Sequence, residues 1–415
     1  MNEERAAESP LSSELIFFNP FLPEVRANPY PHYRELRERE PLHRNPLGFW
    51  ILSRYREGAS VLRDRRFAMI DPRDRDDPLS LLLDRDSLAI IQDAMMRTML
   101  FMNPPDHTRI RSLVTKAFTS RVVEGLRPRI QAIVDELIDA VAARGEMDLV
   151  ADLAYPLPVT VIAEMMGIPA EDRFQFRQWA TDLAPTIDPV LMPDALARAV
   201  RAVTEFAEYF RPLVEDRRRE PGNDLLSALI AAEEAGDRLS EEELFANAIL
   251  LIGAGHETTT NLIGNGLLAL LRNPPELERL KRSPELIEGA VEELLRYDSP
   301  VQMSGRKAKE DLKVGNEKIA AGERVLVLIG AANRDPDRFV DPDRVDVARS
   351  DNEHLTFGGG VHYCLGASLA RAEGQIAIGT LLRRLDALEL ACEAPEWRET
   401  ITLRGLKSLP LKFRA

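Results

Sequence analysis

The stretch Phe357-Gly-Gly-Gly-Val-His-Tyr-Cys-Leu-Gly366 (FGGGVHYCLG) decides how this chain is read, because it crowds four glycines, a histidine and two aromatics around Cys364. Glycine has no Cβ and lets backbone approach another body closely. Gly358, Gly359, Gly360 and Gly366 therefore suggest a flat, bulky object against the loop. A helical pattern begins just after Cys364. Free N–H groups and the positive end of a helix dipole favour a thiolate over a thiol, so the sequence predicts an anionic sulfur.

Cys364 and Cys392 are the only cysteines, which leaves no CxxC metal pattern and suits a reducing compartment. Cys392, in LELACEAP, reads as a small buried hydrophobe. A net charge of -14 argues against a nucleic-acid partner. The opening MNEERAAESPLSSELIFF resembles neither a signal peptide nor a membrane anchor, and no apolar run is long enough to span a bilayer. The expectation is a cytoplasmic protein.

Pro20, Pro23, Pro29 and Pro31 predict an extended lead-in over residues 1–30, followed by a helix at HYRELRERE and a strand at GFWILSR. Apolar residues then recur at helical spacing over 104–118, 122–143 and most of 153–298. VLVLIG reads as a strand, NRDPDRFVDPDR as coil, LGASLARAEGQIAIGTLLRRL as a helix, and ITLRG and LPLKF as terminal strands. The fold class is mainly α with small β-sheets (α+β). No linker or repeat divides the chain, so 1–415 reads as a single domain.

The combination F-x-x-G-x-x-x-C-x-G, filled by Phe357, Gly360, Cys364 and Gly366, resembles the haem-binding signature of cytochromes P450, with Gly358 and His362 also in family positions. The resemblance runs from PYPHYRELR to LPLKF and is closest to the soluble bacterial class. It implies the cytochrome P450 fold, a long distal helix across a buried haem b, and Cys364 as axial ligand of the iron. LLIGAGHETTTNL would be that helix: Leu250, Ala254, Thr258 and Leu262 share one face, and Ala254 with Gly255 leaves room for a ligand. AGHETT resembles the family's acid-alcohol motif, in which Glu257 and Thr258 would deliver protons to bound O2. A mid-helix threonine can also bond the preceding turn and bend the helix.

Glu293 and Arg296, three apart in VEELLRYDSP, can pair on a helix face. They resemble the family's structural ExxR, with Arg334 or Arg344 as the third charge. His107 and Arg111, four apart in NPPDHTRIR, resemble the pair lying against the haem. Arg306 and His362 complete the set expected on the propionates, which need cations or donors.

The resemblance implies a monooxygenase that inserts one atom of O2 into a hydrophobic small molecule by hydroxylation or epoxidation. Electrons would come from NAD(P)H through an external reductase and a ferredoxin or flavodoxin, since no reductase is fused; the enzyme itself reads as a monomer. Arg109, Lys116 and Arg371 are candidates to attract an acidic donor. The family's variable lid would span Leu79 to Met102, with LAPTIDPVLMP as a mobile loop. Met95, Met96, Leu250, Ala254, Val301 and Met303 are pocket candidates, adaptable methionines among them. Substrate identity among fatty acids, terpenoids, steroids and macrolides stays open. So do two other readings: a peroxide-driven peroxygenase and a haem-thiolate sensor without turnover.

Overall fold

Ser240 starts the helix that organises the molecule. Its hydroxyl accepts from the Glu243 amide while the Glu243 carboxylate accepts from the Ser240 amide. This reciprocal cap, with three glutamates in the first turn facing the positive dipole end, launches the 31-residue helix Glu241–Leu271. At 1.5 Å per residue it is about 46 Å long, enough to cross the whole domain. The computed structural model describes residues 18–46, 48–74, 82–188, 190–234 and 239–414.

Helices Ala367–Arg384, Ile287–Tyr297 and Pro156–Met165 pack directly on this helix, and Ser120–Ala142 packs on Ala367–Arg384 and Pro156–Met165. Small residues allow the close crossings. A Cβ at Gly374 would lie 2.9 Å from Leu262 Cδ2, and one at Gly266 would lie 3.1 Å from Leu294 Cδ1. One hydrophobic cluster extends through these helices from Met99 to Phe413.

The largest sheet has five strands in the order Leu42–Arg44, Trp50–Leu52, Arg324–Leu328, Met303–Ala308, Phe67–Ala68. Its pairs are antiparallel except Trp50–Leu52 with Arg324–Leu328, where Trp50 stands opposite Val325. Glu146–Asp148, Pro410–Arg414 and Asp386–Leu390 form a three-stranded sheet, and Leu312–Val314 pairs with Glu317–Ile319. Helices thus dominate, with small sheets at the periphery, as the sequence predicts.

Three local expectations are corrected. The lead-in is not extended throughout: Pro23–Ala27 is helical, because Pro23 at the first helical position lacks only an N–H that needs no partner there. Residues 1–17 lie outside the described residues. ITLRG is not a strand; it follows an irregular path with a single bridge from Leu403 to Val301. The VLVLIG strand stops at Leu328, where the short helix Ile329–Ala332 begins.

Candidate functional site

The cysteine loop joins a short turn at Gly360–His362 to the helix Ala367–Arg384. Its glycines are small for different reasons. Gly358 and Gly360 have φ of +71° and +64°, a backbone region that L side chains rarely adopt. A Cβ at Gly360 would also stand 2.8 Å from the Leu62 carbonyl oxygen, and one at Gly359 would stand 3.2 Å from Arg63 Cγ. Those two glycines admit the neighbouring Tyr55–Arg63 helix, not a ligand. At Gly366 a Cβ would meet nothing within 4 Å. This glycine, by contrast, borders open space.

The Cys364 amide donates to the Phe357 carbonyl at 2.9 Å, which closes the loop and sets the thiol. Cys364 is partly accessible, yet it is densely surrounded, and that burial pushes the thiol pKa up. The Gly366 amide, Arg111 and Arg371 pull it down without prevailing. The expected thiolate is therefore not produced by the helix start alone. A cation at the sulfur would complete it.

Across from the loop, the 241–271 helix is buried along most of its middle but opens at one face. Ala254 is exposed, Leu250 and Thr258 are half-buried, and Gly253 and Gly255 have nothing within 4 Å of an added Cβ. Leu262, expected on this face, is 2% exposed and fills the crossing with Gly374. Thr258 Oγ1 donates to the Ala254 carbonyl at 2.8 Å, the back-bond that a mid-helix threonine favours.

Four donors converge beside the loop. The His107 and His362 rings lie 4.2 Å apart, and Arg111 donates to the Tyr363 carbonyl. Both ring nitrogens of buried His107 lack a hydrogen-bond partner. Burial and then Arg111 depress the His107 pKa to about 4. Burial, then His107, Arg306 and Arg111, depress His362 to about 3. Buried Arg306 falls to about 10 by desolvation, and its guanidinium meets only the Ser304 hydroxyl and Gly305 carbonyl among the described hydrogen bonds. A set of donors and cations that suppress one another calls for anions. Haem fits: two carboxylates for these donors, iron for the sulfur, and a flat macrocycle for the open space beside Gly366 and that beside Ala254 and Gly255.

Behind the loop, Glu293 and Arg296 are both fully buried and joined by two bonds of 2.8 Å. The third charge is neither Arg334 nor Arg344. Arg349 Nε donates to Glu293 at 3.0 Å, and the Asp346 amide and Asn352 complete the carboxylate. Arg344 gives this network only its carbonyl, which accepts from Arg296 and Arg349, while its guanidinium turns to Glu276. Arg334 is sandwiched between the Tyr30 and Tyr297 rings at 3.4 and 3.9 Å. Spacing along the coil could not separate these arginines, since the chain reverses within it.

The Met95 and Met303 assignments are also corrected, and the remaining candidates are located. Met95 is 9% exposed and packs with Ile91, Leu191, Leu196 and Ala199, joining the Arg85–Met96 and Pro193–Arg219 helices rather than lining open space. Met96 is half-buried. Met303 is 3% exposed and packs against Tyr33, Leu36 and Ile51, while Val301 is half-buried and bridged to Leu403. Residues 79–81 of the lid stretch and Pro189 lie outside the described residues; Ala184–Ile187 is a short 3-10 helix. The basic patch is largely neutralised, with Arg109 paired to Glu243 and Arg371 to Glu292 at 2.7 Å.

Glu257 and Thr258 do not face the same space. Glu257 is 2% exposed and lies 3.6 Å from Arg398 Nη1, a residue that sequence reasoning missed. Burial raises its pKa, Arg398 lowers it, and Asp188 raises it. Glu257, Asn261 and Asn265 are buried polar residues at four-residue spacing. That recurrence was the available signal for a second, polar face of the helix.

Comparison with known proteins follows the same line. The family model described as Cytochrome P450 matches residues 83–402. Cytochrome P450 107B1 of Saccharopolyspora erythraea is 44% identical over 96% of this chain and 98% of the relative. The cytochrome P450 monooxygenase PikC of Streptomyces venezuelae is 43% identical over 94% of this chain and 92% of its own. A solved structure of P450BioI in complex with hexadec-9Z-enoic acid ligated acyl carrier protein superposes with a TM-score of 0.87 at 41% identity, covering 94% of this chain and 99% of that one. Among the described residues no helix is long and apolar enough to cross a membrane.

Proposed function

Because the chain belongs to the cytochrome P450 family and is a haem-thiolate monooxygenase, we propose that Cys364 would hold the haem iron through its sulfur and that Thr258 and Glu257 manage the protons of the reaction. Bound haem supplies the activation of O2, which with two electrons and two protons yields one hydroxyl or epoxide oxygen on substrate and one water.

The chain's own residues hold, orient and supply. His107, Arg111, Arg306 and His362 would bind the two carboxylates; the observation that carries the reading is this converging donor set beside Cys364, with both ring nitrogens of buried His107 unpartnered. Glu293, Arg296 and Arg349 fix the coil behind the cysteine loop and take no part in chemistry. Thr258, whose hydroxyl donates to the Ala254 carbonyl on the open face, would orient oxygen and pass it a proton. Glu257, one residue earlier, is the acid that replenishes that proton, its raised pKa keeping it protonated into a higher pH range than an ordinary glutamate.

The substrate is a hydrophobic small molecule, met by Leu250 and Ala254 on the open face. Electrons come from NAD(P)H through a separate reductase and a ferredoxin or flavodoxin, in a monomeric, cytoplasmic, single-domain enzyme. The test is the visible spectrum of the reduced, carbon monoxide-treated holoprotein, for wild type and Cys364→Ala. A Soret band far to the red in wild type, lost in the variant, supports thiolate ligation by Cys364. An ordinary haem band in both overturns it.

A further inference from the structure

The 241–271 helix has two faces that meet the rest of the molecule in different ways. Its polar ridge of Glu257, Asn261 and Asn265 lies under the C-terminal tail. There Asn265 Nδ2 donates to the Arg404 carbonyl at 2.9 Å, and a Cβ at Gly405 would fall 1.7 Å from Asn261 Oδ1. The face of Leu250, Ala254 and Thr258 is open in its middle and sealed at its start, at Asn247, three residues before Leu250 and on the same side of the helix. Burial falls away from that point: Asn247 is 0% exposed, Leu250 is half-buried and Ala254 is exposed.

What seals the face is the connector between the Arg85–Met96 helix and the Asp106–Ala117 helix that carries His107 and Arg111. Asn247 Oδ1 accepts from the Met99 amide at 2.9 Å, and its Nδ2 donates to the Arg97 carbonyl at 3.2 Å and the Glu243 carbonyl at 2.8 Å. Both donors and the oxygen of the side-chain amide are thus engaged. The bond to Glu243, one turn back, fixes the side chain so that the other two grip the connector. The connector is itself stiff here. Buried Thr98 donates its hydroxyl to the Met95 carbonyl at 2.7 Å, and its own carbonyl accepts from the Phe101 and Met102 amides, both at 3.2 Å.

The grip falls on a boundary in the packing. Ile91 and Met95 belong to a cluster shared with Leu191, Leu196 and Ala199, whereas Met99 belongs to the main core. The helix before Arg97 therefore rests on the Pro193–Arg219 helix, while Met99 is anchored among the central helices. A polar clamp at Asn247 fixes what apolar packing alone leaves to two separate clusters.

We propose that Asn247 is a positioning residue for substrate: by holding residues 97–99 against the long helix it sets the end wall of the space over Leu250 and Ala254, and with it the length of apolar chain the site accepts. The proposal rests on the open face as the site of a hydrophobic substrate and adds what bounds it. Because the Asn247 amide is already engaged, selection at this end is by reach rather than by hydrogen bonding.

The probes are N-alkylimidazoles, from methyl to dodecyl, whose ring nitrogen would bind the haem iron of the holoenzyme while the tail explores the space beyond. Binding is read from the Soret shift in wild type, in Asn247→Ala, and in Asn247→Asp, which keeps the acceptor for Met99 and loses both donors. In wild type each carbon added to the tail is expected to tighten binding about fourfold until the tail meets the wall, where the gain stops. In both variants the stop should move to longer tails, tightening the longest probe about tenfold or more while N-methylimidazole stays within about twofold of wild type. A general loosening of the fold would shift every probe alike, so the dependence on tail length separates positioning from stability. A stop at the wild-type tail length in both variants overturns the proposal. Residue-resolved hydrogen exchange on wild type adds a check that needs no variant: the Met99 amide should exchange as slowly as the core amides of the 241–271 helix, and rapid exchange there overturns the proposal as well. If tails never improve binding in wild type, the reading of the open face as an apolar site falls, and this proposal with it, so the two failures are distinct.

Discussion

Replacing Glu373 with glutamine should make the protein more stable at pH 8 and leave it unchanged near pH 4.5. Glu373 sits on the helix that follows the cysteine, 1% exposed, with neither carboxyl oxygen in a well-formed hydrogen bond. Burial pushes its pKa up to about 8; the Thr259 hydroxyl pulls it down too weakly to offset that. The ordinary value of 4.5 applies to the unfolded chain. Below pH 4.5 both states carry the proton and nothing is lost. As pH rises from there toward 8 the unfolded chain releases its proton while the folded one keeps it, so stability falls. At 1.36 kcal/mol per pKa unit the loss is about 1.4 kcal/mol for each pH unit and about 4 kcal/mol by pH 8. Glutamine has the shape of the protonated acid and no titration. Urea unfolding of both proteins from pH 4.5 to 8.5 measures the difference, in which contributions from other groups cancel. A gap that opens steadily with pH confirms the neutral buried acid. A difference constant with pH, or one that shrinks as pH rises, refutes it.

Other expectations follow from the same geometry. Arg349→Ala removes a partner of the fully buried Glu293 carboxylate and should cost about 2–3 kcal/mol in denaturation, whereas Arg344→Ala, which leaves that carboxylate's contacts intact, should cost under about 1 kcal/mol. Gly405→Ala forces a methyl group into Asn261 and should cost about 1–3 kcal/mol, visible as a lower melting temperature. Thr258→Ala should keep substrate binding and the reduced carbon monoxide band while diverting reducing equivalents to peroxide, read as product per reductant falling about tenfold or more. Full coupling in that variant would remove Thr258 from proton handling.

The long helices were legible because an apolar stripe at 3.6-residue spacing is a local property, whereas the Ser240 cap that starts one of them emerged only in the structure. The glycines around Cys364 were legible as a group but not one by one, since only the folded chain shows that Leu62 and Arg63 press on Gly359 and Gly360. Arg349 could not be chosen over Arg334 and Arg344, because which arginine turns inward depends on how an irregular coil reverses. Met95 and Met303 carry the right chemistry for a pocket, and they satisfy it instead against neighbouring helices and sheet. Arg398 was out of reach for a related reason: it lies far along the chain from Glu257, and nothing in local sequence joins the two.

The tail that covers the polar ridge has a bearing on biosynthesis. The 241–271 helix leaves the ribosome well before residues 398–406, and domains fold as their chain emerges. Until the tail arrives, Glu257, Asn261 and Asn265 lie uncovered, which keeps that flank of the nascent helix hydrated rather than sticky. A stretch made more than a hundred residues after the helix is therefore the one that dries the acid, and a chain stopped before residue 398 would be left with a wet helix in place of a finished site.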